Sequence, residues 1–289
     1  MKKYILDLTV RSVEPIHERY VLLRLTDPER PLPPMLPGQF VEVRIDNSPT
    51  TFLRRPISIN FVDRERNELW LLVAAVGDGT RRLAALKGER KGESGETIPG
   101  DTLNCVLPLG NGFSLPQPLP RRGDNDAPAA SSLGGGELLL VGGGVGVAPL
   151  LYFGAELKRM GCEPTFLLGA RTSNDLLMLD EFRKYGRVLT TTEDGTAGER
   201  GFVTNHSVWQ REHFTHIATC GPKPMMVAVA RMAERLGIDC EASLENMMAC
   251  GLGACLCCVE KTVEGNVCVC KEGPVFNTKK LTWSVGVSE

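Results

Sequence analysis

The sequence predicts a multidomain fold: an antiparallel β-barrel over residues 1–113, an α/β domain with a parallel sheet over 137–240, and a small cysteine-rich domain over 241–289. Three observations predict it. The first hundred residues hold short β-rich runs separated by Pro- and Gly-rich stretches, whereas from Glu137 onward short apolar runs alternate with helical patterns. Six of the ten cysteines then crowd between Cys250 and Cys270.

In the first region Tyr4–Val10, Tyr20–Leu25, Phe40–Ile45 and Leu69–Val76 read as strands, several alternating apolar and polar residues. Pro31-Leu32-Pro33-Pro34 and Pro37-Gly38 break the chain between them. Short strands at this spacing favour a small barrel. Arg54-Arg55-Pro56-Ile57-Ser58 follows the third strand, and on its residues alone is an ordinary solvated strand end. A helix is expected over Thr80–Leu86, opened by Gly77-Asp78-Gly79-Thr80, a candidate phosphate cradle. Residues 114–136 carry four prolines, the polar run Arg121-Arg122-Gly123-Asp124-Asn125-Asp126 and a Gly-rich end. Such a composition buries too little to fold, so this segment reads as a linker.

Leu138–Val141 is a short buried strand, followed by a glycine turn and a helix over Ala148–Met160 that Gly161 ends. Strands over Thr165–Leu168, Val188–Thr191 and His216–Thr219 alternate with helices over Leu179–Tyr185 and Pro224–Leu236, the pattern of a parallel sheet. The turn Gly142-Gly143-Gly144-Val145-Gly146 lies between strand and helix, where backbone N–H groups favour a pyrophosphate and glycines admit it. It is not G-x-G-x-x-G, because Pro149 takes the place of the last glycine, a position that tolerates proline in a first helical turn. Arg171 follows the second strand of this domain, where an acidic residue would hold a ribose hydroxyl. An arginine there suits a 2′-phosphate or is simply solvated, so the residues leave NAD and NADP open. Cys220-Gly221-Pro222 closes the last strand at the same carboxyl edge as the glycine turn, where ligands bind.

Cys250, Cys255 and Cys258 follow C-x4-C-x2-C, with Cys270 eleven residues later, the plant-type [2Fe–2S] spacing. Gly251 and Gly253 fit a loop that must take positive φ and approach a cluster closely. Cys257 and Cys268 are then spare. The alternative is zinc held by Cys255 and Cys258 with Cys268 and Cys270.

Charge excludes other classes. With 33 basic and 35 acidic residues nothing suggests a nucleic acid or a membrane surface as partner. No run approaches the roughly 18 apolar residues of a membrane span. Lys2 and Lys3 precede apolar residues, but Asp7 and Arg11 interrupt them, so the start reads as a strand and the protein as cytoplasmic. His17, His206, His213 and His216 form no triad or metal spacing, and no nucleophile elbow is present, so no catalytic side chain is expected.

A barrel with an Arg-Pro-Ile-Ser strand and a Gly-Asp-Gly-Thr turn, followed by a nucleotide domain and an iron–sulfur tail, resembles the ferredoxin-reductase family of flavoproteins. The closer resemblance, over nearly the whole chain, is to the electron-transfer subunits of bacterial NAD-dependent (type B) dihydroorotate dehydrogenases. Arg55-Pro56-Ile57-Ser58, Val76 to Thr80, Pro108 to Phe113, Gly142 to Pro149, Cys220-Gly221-Pro222 and Ser243-Leu244-Glu245 carry it. Cys250 to Cys255 with Cys270-Lys271-Glu272-Gly273-Pro274-Val275-Phe276 is the most specific match. The resemblance implies that Cys270, three residues before Gly273, is the last cluster ligand. It implies FAD in the barrel against Arg55, Pro56, Ile57 and Ser58, with Arg55 near the pyrophosphate and Ser58 near the flavin ring, and Gly77, Gly79 and Thr80 at the phosphates. It places NAD over Gly142, Gly143, Gly144 and Gly146, bounded by Arg171, Cys220, Gly221, Pro222 and Glu245. The charged stretch Glu89–Glu96 and the linker over Arg121–Gly136 depart from the family in length.

A hydride carries two electrons and a [2Fe–2S] centre takes one, and a flavin joins the two regimes. No segment remains for a dihydroorotate pocket, so the resemblance implies an FMN-containing catalytic partner, in a heterotetramer of two plus two, within pyrimidine biosynthesis. The alternatives are a related NAD(P)H-linked reductase subunit of ferredoxin or sulfur metabolism, and a zinc-binding interaction module.

Overall fold

Alternating burial builds the first half of the computed structural model, which describes residues 2–115 and 137–283. Strands β1 (Tyr4–His17), β2 (Tyr20–Thr26), β3 (Phe40–Val43), β4 (Arg55–Ser58), β5 (Phe61–Asp63) and β6 (Glu68–Ala74) precede helix α1 (Asp78–Ala84). The short pair β7 (Arg90–Lys91) and β8 (Thr97–Ile98) and the long β9 (Thr102–Leu109) follow. Seven strands form one curled antiparallel sheet, a half-barrel, in the order β4-β3-β9-β1-β2-β6-β5. Leu8, Val10, Leu23, Leu25, Val41, Val43, Leu71 and Val73 have no solvent exposure and fill its concave side. β1 runs well past the expected Val10. Its register against β2 slips between Val10 and Ser12 and again between Pro15 and His17, so Arg11 and Ile16 are taken up as extra residues without ending the strand. The charged 89–96 stretch holds β7, and with β8 makes a two-stranded ladder outside the main sheet.

The second half follows the strand–helix rhythm: β10 (Leu138–Gly143), α2 (Ala148–Arg159), β11 (Thr165–Ala170), α3 (Leu179–Arg183), β12 (Arg187–Thr192), β13 (Glu199–Arg200), α4 (Val208–Arg211), β14 (His216–Cys220), α5 (Lys223–Leu236) and β15 (Asp239–Ser243). After these come β16 (Val259–Thr262), β17 (Gly265–Cys268), α6 (Val269–Glu272) and β18 (Val275–Asn277). The sheet order is β13-β12-β11-β10-β14-β15-β18, parallel except that β18 runs against β15. β10 is central, so the chain leaves it first toward β11 and later returns to its other side as β14. That reversal opens a crevice at the carboxyl ends of the strands. Leu139, Val141, Leu167 and Ile217 from the sheet pack with Trp209, Val229 and Ala233 from α4 and α5. On α2 a Cβ at Gly154 would stand 2.2 Å from the Phe166 ring, so the glycine lets that helix lie close on β11.

The described residues divide into two compact units. One comprises residues 2–112, 245–261 and 265–274, and the other 113–115, 137–244, 262–264 and 275–283. The cysteine-bearing segment therefore counts with the half-barrel. Apart from Ser114 and Leu115, the linker expected over 114–136 lies outside the described residues. Ser114 itself is fixed in the second unit, its N–H and O–H both donating to the Glu241 carboxylate, at 3.0 and 2.7 Å. No helix among the described residues is long and apolar enough to cross a membrane.

Candidate functional site

Four cysteines lie close together in the first unit as two contacting pairs, Cys250 with Cys255 and Cys258 with Cys270. Cys258 and Cys270 are buried, Cys250 is half-buried and Cys255 exposed. Gly251 and Gly253 both take positive φ, +65° and +82°, as the loop requires, and Leu256 follows at +58°. These turns aim backbone N–H groups at sulfur: Leu252 donates to Cys250 Sγ at 3.3 Å, Gly253 to Cys270 Sγ at 3.1 Å and Cys270 to Cys258 Sγ at 3.4 Å. Such donors stabilise thiolates and tune an iron–sulfur centre. Burial opposes ionisation of Cys250, yet the N–H groups of Leu252, Cys255 and Ala254 and the Cys255 thiol bring its pKa down to about 6. Cys270 is pushed the other way, by burial and by the neighbouring Cys258 and Cys250. Sulfurs that raise one another's pKa are relieved by a shared cation, so the donor set fits a metal cluster. Among the described residues no group of three or more His, Cys, Asp or Glu side chains is already drawn together around one point. The spare Cys257 is exposed, and Cys268 is half-buried with Sγ 3.9 Å from the Gly253 carbonyl.

Beneath this loop lies a residue that the sequence did not single out. A Cβ on Gly251 would stand 2.8 Å from Glu42 Cγ and 2.9 Å from Leu109, so the loop rests directly on β3 and β9. Glu42 has no solvent exposure, and neither carboxyl oxygen has a hydrogen-bond partner among the described residues. Burial, opposed by Arg54 and reinforced by Cys250, raises its pKa to about 7.

The Arg-Pro-Ile-Ser residues form β4, one of the half-barrel's two edge strands, all four half-buried, with Val43, Glu42, Val41 and Phe40 of β3 opposite Arg55, Pro56, Ile57 and Ser58. Arg54 is structural: it donates to the Glu42 and Asn104 carbonyls and to the Asn104 side chain. Arg55 donates from Nη1 to the Arg54 carbonyl, with its Nε 3.2 Å from where a Gly79 Cβ would be. Thr51 Cγ2 stands 3.1 Å from the same point, so Gly79 is bare because the Arg55 side chain and the 50–55 loop close on it. Thr80 is committed locally, accepting from Gly77 N–H and donating to the Gly77 carbonyl, which starts α1 two residues earlier than expected. Asp78 in the first turn is held ionised by Arg81 and by Thr50. What this corner offers a phosphate is the Arg55 guanidinium and first-turn N–H groups without intrahelical acceptors.

In the second unit the glycines divide their work. A Cβ on Gly146 would stand 2.4 Å from Gly221 Cα, and one on Gly143 would stand 2.7 Å from Met225 Sδ. Gly142 faces Leu150 and Val147. Gly144 alone of the four has nothing within 4 Å and takes φ +56°, leaving it open to a ligand. The structure thus brings the turn and Cys220-Gly221-Pro222 together at the sheet's carboxyl edge. Cys220 is fully buried, so this motif presents backbone and not its thiol. Arg171 is exposed just beyond β11. Glu245, which belongs to the first unit, is accessible to solvent, yet burial by the surrounding protein raises its pKa.

Residues 245–282 match the family model for the iron–sulfur cluster binding domain of dihydroorotate dehydrogenase B, and residues 140–231 match the oxidoreductase NAD-binding domain. The chain is 35% identical over 257 residues to the dihydroorotate dehydrogenase B (NAD(+)) electron transfer subunit of Desulforamulus reducens, covering 86% of this chain and 87% of that one. It is 38% identical over 245 residues to the corresponding subunit of Shouchella clausii, covering 83% and 84%. A solved NADH-dependent reduced ferredoxin-NADP oxidoreductase superposes with a TM-score of 0.77 at 28% identity, covering 96% of this chain and 90% of that one. The match over 245–282 decides for iron–sulfur against the zinc reading that spacing left open.

Proposed function

The chain belongs to the electron-transfer subunits of dihydroorotate dehydrogenase B (NAD+), and from that membership we propose how its residues share the work. It is an oxidoreductase subunit of pyrimidine biosynthesis that links a dihydroorotate-oxidising catalytic partner to NAD+, and it uses FAD, an iron–sulfur cluster and NAD. In this reading Cys250, Cys255, Cys258 and Cys270 hold a [2Fe–2S] cluster. Arg55, Pro56, Ile57 and Ser58 of β4, with Gly77, Gly79 and Thr80, hold FAD. Gly142, Gly143, Gly144, Gly146, Cys220, Gly221 and Pro222 form the NAD turn, bounded by Arg171 and Glu245. The three parts are residues 1–113, 137–240 and 241–289, joined through 114–136.

When bound, FAD supplies exchange between the hydride of a nicotinamide and the single electrons of the cluster, so the route from the partner's FMN passes through the cluster and FAD to NAD+. The thiolates offset the charge of the irons, and the N–H groups of Leu252, Gly253 and Cys270 spread the charge they carry. Gly144 exposes backbone for the dinucleotide, while Gly146 and Gly221 hold the two turns at backbone contact. Met247, Leu252 and Leu256, exposed by 81%, 48% and 63%, surround the cysteine loop with apolar surface. A catalytic partner covering that rim would bring its flavin near the cluster, and two copies of each chain would give the heterotetramer. We place the complex in the cytoplasm.

The observation that carries the reading is the cysteine loop, with backbone N–H groups aimed at three of its four thiols. The test is anaerobic purification with and without the catalytic partner, followed by flavin, iron and sulfide analysis and assay of dihydroorotate-dependent NAD+ reduction. The expected result is one FAD and one two-iron cluster per chain, and NAD+ reduction that needs both chains. A colourless chain, or one that co-purifies with a ferredoxin-reducing subunit instead, would overturn it.

A further inference from the structure

Two largely exposed apolar side chains flank the phosphate corner of the first unit. Phe52 is 87% exposed, the most exposed large apolar residue of that unit, and Val76 is 69% exposed. Both stand beside the residues that close the corner. Thr50 Oγ1 donates to Asp78 Oδ2 at 3.4 Å, and the Thr51 methyl lies against bare Gly79, so the loop carrying Phe52 is fastened to the turn that follows Val76. Arg55, three residues beyond Phe52, reaches the same point with its Nε. A phenylalanine so largely exposed gives up most of the burial its ring favours, and an aromatic face beside a phosphate site is what a nucleobase stacks on.

Resting on the flavin reading above, we propose that Phe52 is the stacking platform for the adenine ring of FAD, with Val76 bordering the same recess. The dinucleotide then lies with its pyrophosphate at Arg55 and the Gly79 corner and its adenine against the Phe52 ring. This assigns the exposed phenylalanine to discrimination of FAD from FMN, because FMN ends at its phosphate and has nothing to stack there.

The test uses the full chain stripped of flavin and titrated with FAD and separately with FMN, followed by flavin fluorescence. Base stacking lost by truncation weakens binding on the order of 5- to 100-fold. Phe52→Ala should therefore weaken FAD binding within that range and leave FMN binding unchanged, and Phe52→Tyr should restore FAD binding. The unchanged FMN titration shows that the variant is folded. Equal weakening toward both flavins, or no change toward FAD, overturns the proposal. So does a variant that keeps FAD but loses the catalytic partner, which would make Phe52 a docking residue. A wild-type chain that binds FMN but shows no preference for FAD defeats the adenine platform alone, whereas one that binds neither flavin defeats the flavin reading and this inference with it.

Discussion

On β3 the Glu42 carboxyl is sealed under the cysteine loop with no hydrogen-bond partner among the described residues, and burial lifts its pKa from 4.5 to about 7. Between those two values the unfolded chain has released this proton while the folded chain keeps it. Stability therefore falls as pH rises through that window, and above pH 7 the loss is complete, roughly 3 kcal/mol. Glu42→Gln keeps the shape and removes the slope. The variant should gain on the order of 2–3 kcal/mol over the wild type at pH 8 and almost nothing near pH 4.5, read from unfolding midpoints at the two values. An equal change at both would show that the carboxyl is not held neutral. Nothing in the sequence betrays this residue, since a glutamate between Val41 and Val43 reads as the solvent-facing member of an alternating strand. The cysteines were legible because their chemistry fixes spacing. Cys258 is buried and accepts from Cys270 N–H, whereas Cys257 is exposed. Cys258→Ser should accordingly abolish the visible absorption of the cluster, and Cys257→Ser should keep it. The reverse pattern in the spectra would reassign the ligands.

At the scale of elements, the glycine turn was legible as a motif, but which glycine does what was not, because their contacts come from remote chain. Gly146 meets the backbone of Gly221, which cannot yield as a flexible side chain would. Gly146→Ala should force the two turns apart, costing about 1–3 kcal/mol locally. Its KM for NADH should rise roughly tenfold or more, since each 1.4 kcal/mol of lost binding is a factor of ten, while flavin and iron content stay at wild-type levels. An unchanged KM would mean that the contact of the two turns has no part in holding the nucleotide. β15 escaped the sequence reading for a related reason. Asp239-Cys240-Glu241-Ala242-Ser243 alternates acidic and small residues and lacks an apolar run, yet four of its five residues are buried. Glu241 is tolerated there because Ser114 donates to it twice and His216 Nε2 lies 3.3 Å away. Burial alone would raise its pKa, but these partners bring it below the usual value. The helices and the parallel order were legible because their period is local. The extension of β1 was not, since bulges are set by the partner strand.

For the molecule as a whole, the decisive feature is that its units are discontinuous in sequence. The cysteine segment leaves the second unit after Leu244 and joins a unit otherwise made from residues 1–112. Few bonds hold it there. Asn111 N–H donates to the Gly273 carbonyl at 2.6 Å, and Asn111 Nδ2 donates to the Glu272 and Lys271 carbonyls at 2.9 and 3.2 Å. Gly251 rests on Glu42 and Leu109, and Gly253 lies against the Lys271 side chain. Within the segment, three N–H to sulfur contacts depend on thiols that a metal would fix and that otherwise repel when ionised. Metal binding is thus part of the folding free energy of the first unit, whereas the second has its own apolar core of Leu139, Val141, Leu167 and Ile217. Removing iron with an anaerobic chelator should speed proteolysis within 245–274, release FAD into the filtrate more readily, and leave a protected fragment that includes β10 to β15. Cleavage and flavin release can be followed on the same sample by mass spectrometry and fluorescence. Because β3 carries both the strand opposite Arg55-Pro56-Ile57-Ser58 and the Glu42 that underlies the loop, the flavin should loosen in step with the loop. Full retention of FAD after complete loss of iron would show that the half-barrel holds its cofactor without help from the segment that returns to it.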